Sequence, residues 1–66
     1  DQLTIRNYIE NSHEDGDRVT LKSIQELMVS RGSELTCGEI FDIVIDLGFS
    51  IFEDEDVARS LWEVQI

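Results

Sequence analysis

The residues able to do chemistry in this chain are carboxylates in its second half: Glu39, Asp42 and Asp46, three and four residues apart, then the unbroken run Glu53, Asp54, Glu55, Asp56. On a helix turning about 100° per residue the first three fall within roughly a 60° arc. Carboxylates spaced in this way share a face without meeting at a point, so the spacing offers no acid and base pair for catalysis. Their chemistry is electrostatic: a row of negative groups, set out much as phosphates are along a nucleic-acid backbone. Such a row attracts cationic surfaces and repels polyanions.

Other reactive side chains lead nowhere specific. Cys37 falls in the first turn of a helix, but the chain's one histidine, His13, lies in a different loop and makes no Cys–His pair with it. No second His or Cys stands at metal-ligand spacing from either. A calcium loop begun at Asn11 places His13, Asp15 and Gly16 at positions three, five and six, but puts Lys22 at twelve, where a bidentate Glu is required. The acidic run at residues 53–56 would hold a cation only loosely. No glycine-rich phosphate loop and no Ser-His-Asp arrangement can be drawn. The expectation is a protein that is not an enzyme and carries neither cofactor nor metal.

Composition narrows the partners. With 15 acidic against 5 basic residues, the 66-residue chain has a formal net charge of -10. That density disfavours nucleic acid and anionic membrane surfaces and speeds encounter with basic proteins; the competing account of the charge is solubility alone. At 41% hydrophobic and 30% charged, the chain reads as a folded domain and not as a disordered acidic tail. Its length suits one domain, residues 1–66, too small for a deep cleft. Cys37 cannot close an internal disulfide, and no stretch approaches the roughly 20 apolar residues that span a bilayer. A reducing cytoplasm, or a nucleus, fits these features.

The elements that must position the carboxylates follow from periodicity. From Gln2 to about His13, Ile5, Tyr8 and Ile9 recur at helical spacing, with Leu3 at the entrance, and turn formers from Asn11 to Asp17 end the pattern. A short extended piece, residues 18–20, follows. Thr20 caps a second helix whose stripe is Leu21, Ile24, Leu27 and Met28; Arg31 lies in its last turn and Gly32 stops it. Thr36 and Glu39 then form a capping box, with Leu35 available as a staple to Ile40 or Phe41. The third helix buries Ile40, Ile43, Val44 and Leu47 and ends at Gly48, while Phe41 and Ile45 lie on its flank, either completing the core or forming an exposed apolar pair.

After Gly48 the period becomes alternating. Residues 49–52 and 61–66 read as strands, the second with Trp62, Val64 and Ile66 on one face, and a polar loop runs from Glu53 to Ser60. The order helix, strand, helix, turn, helix, strand, loop, strand is that of an α+β, winged-helix-like three-helix domain with a C-terminal β-hairpin, the acidic loop being the wing. An all-α alternative makes Asp56 a cap and residues 57–64 a fourth helix. In the winged reading, the arc of Glu39, Asp42 and Asp46 lies close to the face that DNA-binding relatives of this architecture place in the major groove. No Lys or Arg occurs between Gly32 and Ala58.

Three stretches together resemble region 1.1 of bacterial primary sigma factors: residues 19–24, from Val19 through Lys22 to Ile24; residues 35–42, from Leu35 through Cys37 to Asp42; and residues 47–51, Leu47 to Ile51, running into Glu53–Asp56. That region is a small acidic helical domain which occupies the DNA channel of RNA polymerase before promoter DNA enters. A strand-like end at residues 61–66 departs from the family's pattern. The resemblance implies a non-catalytic, nucleic-acid-mimicking module of the transcription machinery whose partner is a basic protein surface, such as RNA polymerase or another nucleic-acid-binding protein. Glu39, Asp42, Asp46 and Glu53, Asp54, Glu55, Asp56 are the expected contacts, with Phe52 or Trp62 as apolar anchors. The alternative is a DNA-binding winged-helix regulator using Arg18, Lys22, Arg31 and Arg59, which are scattered along the chain.

Overall fold

A computed structural model describes residues 2–65. Three helices, α1 (Gln2–Glu14), α2 (Leu21–Ser30) and α3 (Cys37–Asp46), pack with three short strands, β1 (Val19–Thr20), β2 (Ser50–Phe52) and β3 (Glu63–Gln65). The sheet is antiparallel with β3 in the middle, in the order β1-β3-β2. The arrangement is α+β and winged-helix-like, as the order of elements predicts. Residues 57–64 do not form a fourth helix: they hold a single 3₁₀ turn, Arg59–Leu61, and the first two residues of β3.

Local chemistry explains where α2 and α3 begin. Thr20 and Thr36 both have extended backbone, and each hydroxyl accepts the backbone N–H three residues on, from Ser23 and Glu39, at 3.2 Å in both cases. Each box is closed in return, by Thr20 N–H to Ser23 Oγ at 3.0 Å and Thr36 N–H to Glu39 Oε1 at 3.4 Å. Two donors that a helix start leaves orphaned are thereby satisfied.

All three helices end in one way, with a glycine at positive φ whose N–H, and that of the next residue, return to carbonyls of the last turn. At α3 these bonds are Gly48 N–H to Ile45 O (3.0 Å) and Phe49 N–H to Val44 O (3.3 Å). At φ +94° Gly48 takes the left-handed conformation with no Cβ penalty, and the turn aims Phe49 back at the core.

The core joins the inward stripes of the helices to one row of the sheet. Ile5, Ile9, Leu21, Ile24, Met28, Ile40 and Val44 are at most 1% exposed, and Val19 is nearly so. Fully burying such a side chain stabilises by about 1.5–3 kcal/mol relative to leaving it in water. Leu27, Ile43 and Leu47 are half-buried at the margin. Across the sheet Val64 faces Val19 on one side and Ile51 on the other, so this row closes the core; Phe52 and Glu63 pair on the opposite, outer face. Ile66, expected on the inner row, lies outside the described residues.

Between α2 and α3 the turn is fixed by one side chain. The Gln25 amide donates to Leu35 O at 3.1 Å, and its Oε1 accepts from Cys37 Sγ at 3.5 Å. Cys37 is therefore half-buried and hydrogen-bonded across the helix-turn-helix, a structural role for the lone thiol. Among the described residues no helix is long and apolar enough to cross a membrane.

Candidate functional site

Residues 53–62 connect β2 to β3, and their own hydrogen bonds hold them in place. Asp54 Oδ1 accepts from Asp56 N–H at 2.9 Å, an Asx turn, and Asp54 O accepts from both Val57 N–H (3.3 Å) and the Trp62 indole N–H (2.8 Å). Leu61 N–H to Ala58 O (2.9 Å) and Trp62 N–H to Arg59 O (3.0 Å) close the 3₁₀ turn. The last strand accordingly starts at Glu63 and not at Leu61. The indole draws Trp62 toward the loop, so alternation is broken at the two residues where the sequence pattern would have continued it.

Trp62 is half-buried, and its neighbour on α3 is Phe41, edge-on at a centroid distance of 6.1 Å. The Arg59 guanidinium lies 5.8 Å from the Trp62 ring centroid, within reach of a cation–π attraction. The same side chain passes over the start of α3, its Nη1 3.5 Å from the point where a Cβ on Gly38 would sit. Among the described residues Arg59 forms no ion pair; the pairs present are Arg6–Glu10 at 2.8 Å and Arg18–Glu63 at 3.3 Å, both exposed and each worth little.

The wing thus folds against α3 and encloses a cleft of about 540 Å³. Glu39 and Asp42 line it from the helix, Glu53 from the wing, and Arg59, Phe41 and Trp62 complete it. Of the carboxylates expected to act together, these three share a cleft. Asp46 is exposed one turn further along α3 and does not line it; Glu55 and Asp56 are exposed on the wing; Asp54 is half-buried and committed to holding the wing's shape. Among the described residues no group of three or more His, Cys, Asp or Glu side chains is placed to hold a metal ion. The carboxylates spread a negative field and do not form a cage.

From Ser33 to the end of the chain there are nine carboxylates and one guanidinium, a net -8; the preceding residues carry six and four, a net -2. The charge imbalance is therefore concentrated in α3, the hairpin and the wing. The cations that a DNA-reading face would need have separate surroundings. Arg18 pairs with Glu63, Lys22 sits beside Glu26 and Val29 on α2, Arg31 lies near Tyr8 and Asn11, and Arg59 is in the acidic cleft.

Trp62 also borders a second depression, of about 340 Å³, on the outer face of the hairpin. Phe52, Val57 and Leu61 line it, at 57%, 39% and 49% exposure, together with the half-buried Trp62 and with Asp54 and Glu63. Phe52 and Trp62 were expected as anchors; Val57 and Leu61 were not. In the sequence Leu61 read as the start of the last strand and Val57 as part of the polar loop or of a fourth helix; the structure has neither a strand at Leu61 nor that helix, which leaves both side chains exposed. Phe41 and Ile45 do not form an exposed pair, because Phe41 packs on Trp62 and only Ile45 is open to solvent.

Compared with protein-family models, with curated proteins and with solved structures, the chain matches none.

Proposed function

We propose that this domain is a non-catalytic acidic interaction module that docks on a cationic protein surface of the kind that otherwise holds nucleic acid. The observation carrying this reading is the convergence of Glu39 and Asp42 on α3 with Glu53 on the wing in one cleft, within the part of the chain that has a net charge of -8. Brought to a polyanion, such a face gains no counterion release and meets repulsion; brought to a cationic channel, it reverses both terms. Individual surface ion pairs are weak, so the docking depends on their number and on steering. The resemblance of residues 19–56 to sigma region 1.1 points to RNA polymerase, in the cytoplasm, as the type of partner. The dispersal of Arg18, Lys22, Arg31 and Arg59 favours this reading over DNA recognition.

Two triple variants of equal charge change test it against an oligoarginine peptide and a labelled DNA duplex. Glu39→Gln, Asp42→Asn and Glu53→Gln together neutralise the cleft, and Gln at position 39 preserves the capping box. Glu14→Gln, Asp15→Asn and Asp17→Asn neutralise the exposed end of α1 instead. The unmodified domain is expected to bind the peptide with an affinity that falls as salt rises, and to leave the duplex unbound. The cleft triple should weaken peptide binding by about fivefold more than the control, from roughly 0.3 kcal/mol per pair. Equal effects would reduce the cleft to general surface charge, and tight duplex binding would favour the DNA-binding alternative.

A further inference from the structure

We infer that the groove on the outer face of the hairpin takes an apolar side chain of a cationic protein segment, one in which Leu-like residues alternate with arginine or lysine. The inference deepens the acidic docking proposed above and rests on it. Six large apolar side chains are exposed among the described residues, and three of them, Phe52, Val57 and Leu61, border this one groove. The half-buried Trp62 lines it with them. Apolar residues on an ordered loop, whose own hydrogen bonds leave their side chains facing water, make a preformed anchor site that loses little entropy when filled.

Charge selects the occupant. Asp54 and Glu63 line the groove, Glu63 also pairing with the exposed Arg18, and Glu55 and Asp56 are exposed on the same loop. A second copy of this domain would bring another net charge of -10 to the same rim, and an anionic lipid or nucleic acid would bring phosphates. Each meets repulsion at short range. A cationic segment alone satisfies both the apolar floor and the acidic border. Because Trp62 lines the cleft of Glu39, Asp42 and Glu53 as well as the groove, the two depressions adjoin and one segment can reach both, an apolar residue in the groove and its basic neighbour in the cleft.

Two synthetic peptides of equal length and equal arginine count test this, one with leucines between the arginines and one with serines. Trp62 is the only tryptophan in the chain and lines both depressions, so its fluorescence and indole N–H resonance report binding at either, while the Val57 and Leu61 methyls, which line the groove and not the cleft, report on the groove itself. The leucine peptide is expected to bind about tenfold more tightly than the serine peptide, and to shift the indole N–H and the Val57 and Leu61 methyls. Leu61→Ser, at a site 49% exposed and so tolerant of a polar residue, should bring the leucine peptide down to the affinity of the serine peptide and leave the latter unchanged. If both peptides bind equally and Leu61→Ser changes neither, the groove inference is overturned while acidic docking stands. Binding of neither peptide at low salt overturns both. Shifts of the same resonances with protein concentration alone would assign the groove to a second copy, and overturn the cationic segment.

Discussion

Replacing Trp62 by phenylalanine asks whether the wing is held against α3 by this one side chain, and its expected cost can be worked from the contacts. The indole N–H bond to Asp54 O, at 2.8 Å, is lost. Since Val57 N–H also donates to that carbonyl, at 3.3 Å, the oxygen keeps a partner and the cost is that of a net hydrogen bond, about 1 kcal/mol, and not the full penalty of an orphaned group. Phenylalanine can retain an edge contact with Phe41 but gives up the outer part of the indole. With roughly 40 Å² of lost burial for a half-buried ring, that adds about 1 kcal/mol. The sum, about 2 kcal/mol, is large against the roughly 3–10 kcal/mol expected for a domain of this length. It corresponds to a fall in Tm of roughly 8–16 °C. Far-UV circular dichroism through a thermal and a urea transition measures it, since tryptophan fluorescence goes with the residue. Hydrogen exchange at the Asp56 and Val57 amides should accelerate more than at Val44, because the wing opens before the core. A Tm within about 2 °C of the parent, with unchanged exchange at Val57, would refute the anchoring role. The hairpin register alone would then have to keep Glu53 beside Glu39 and Asp42.

Other perturbations test the local chemistry. Thr36→Ala removes the hydroxyl that accepts Glu39 N–H at 3.2 Å and should destabilise by about 1 kcal/mol in chemical denaturation; an effect within error would mean that α3 does not depend on its cap. Gly48→Ala and Gly38→Ala should differ in sign. At Gly48, with φ +94°, a Cβ meets open space but the left-handed backbone costs about 1 kcal/mol. At Gly38 the backbone is helical and a Cβ makes only an ordinary contact with Arg59, so alanine should be neutral or stabilise by up to about 1 kcal/mol. Equal denaturation midpoints for the two variants would contradict this assignment of backbone conformations.

What the sequence by itself determined is what depends on residues three to five apart. The Thr36–Glu39 box, the cap at Thr20, the glycine stops and the inward stripe of Ile24, Met28, Ile40 and Val44 are all decided within a helical turn or two, and all can be read from spacing. The total charge, and hence the expectation that polyanionic partners are disfavoured, needs no coordinates at all. The winged order of elements followed from the change of period after Gly48. The tertiary structure decided which carboxylates meet. Asp46 shares the helical arc of Glu39 and Asp42 yet is left out of the cleft, whereas Glu53, eleven residues beyond Asp42, joins it, because the wing folds back only as far along α3 as Trp62 and Asp54 allow. Periodicity fixes the direction of a side chain around its own helix but not the path of a loop across it. For the same reason Asp54 became part of the wing's frame, Arg59 entered the acidic cleft, and Val57 and Leu61 were gathered beside Phe52. Each of those placements is set by contacts between elements, whose geometry no local pattern contains.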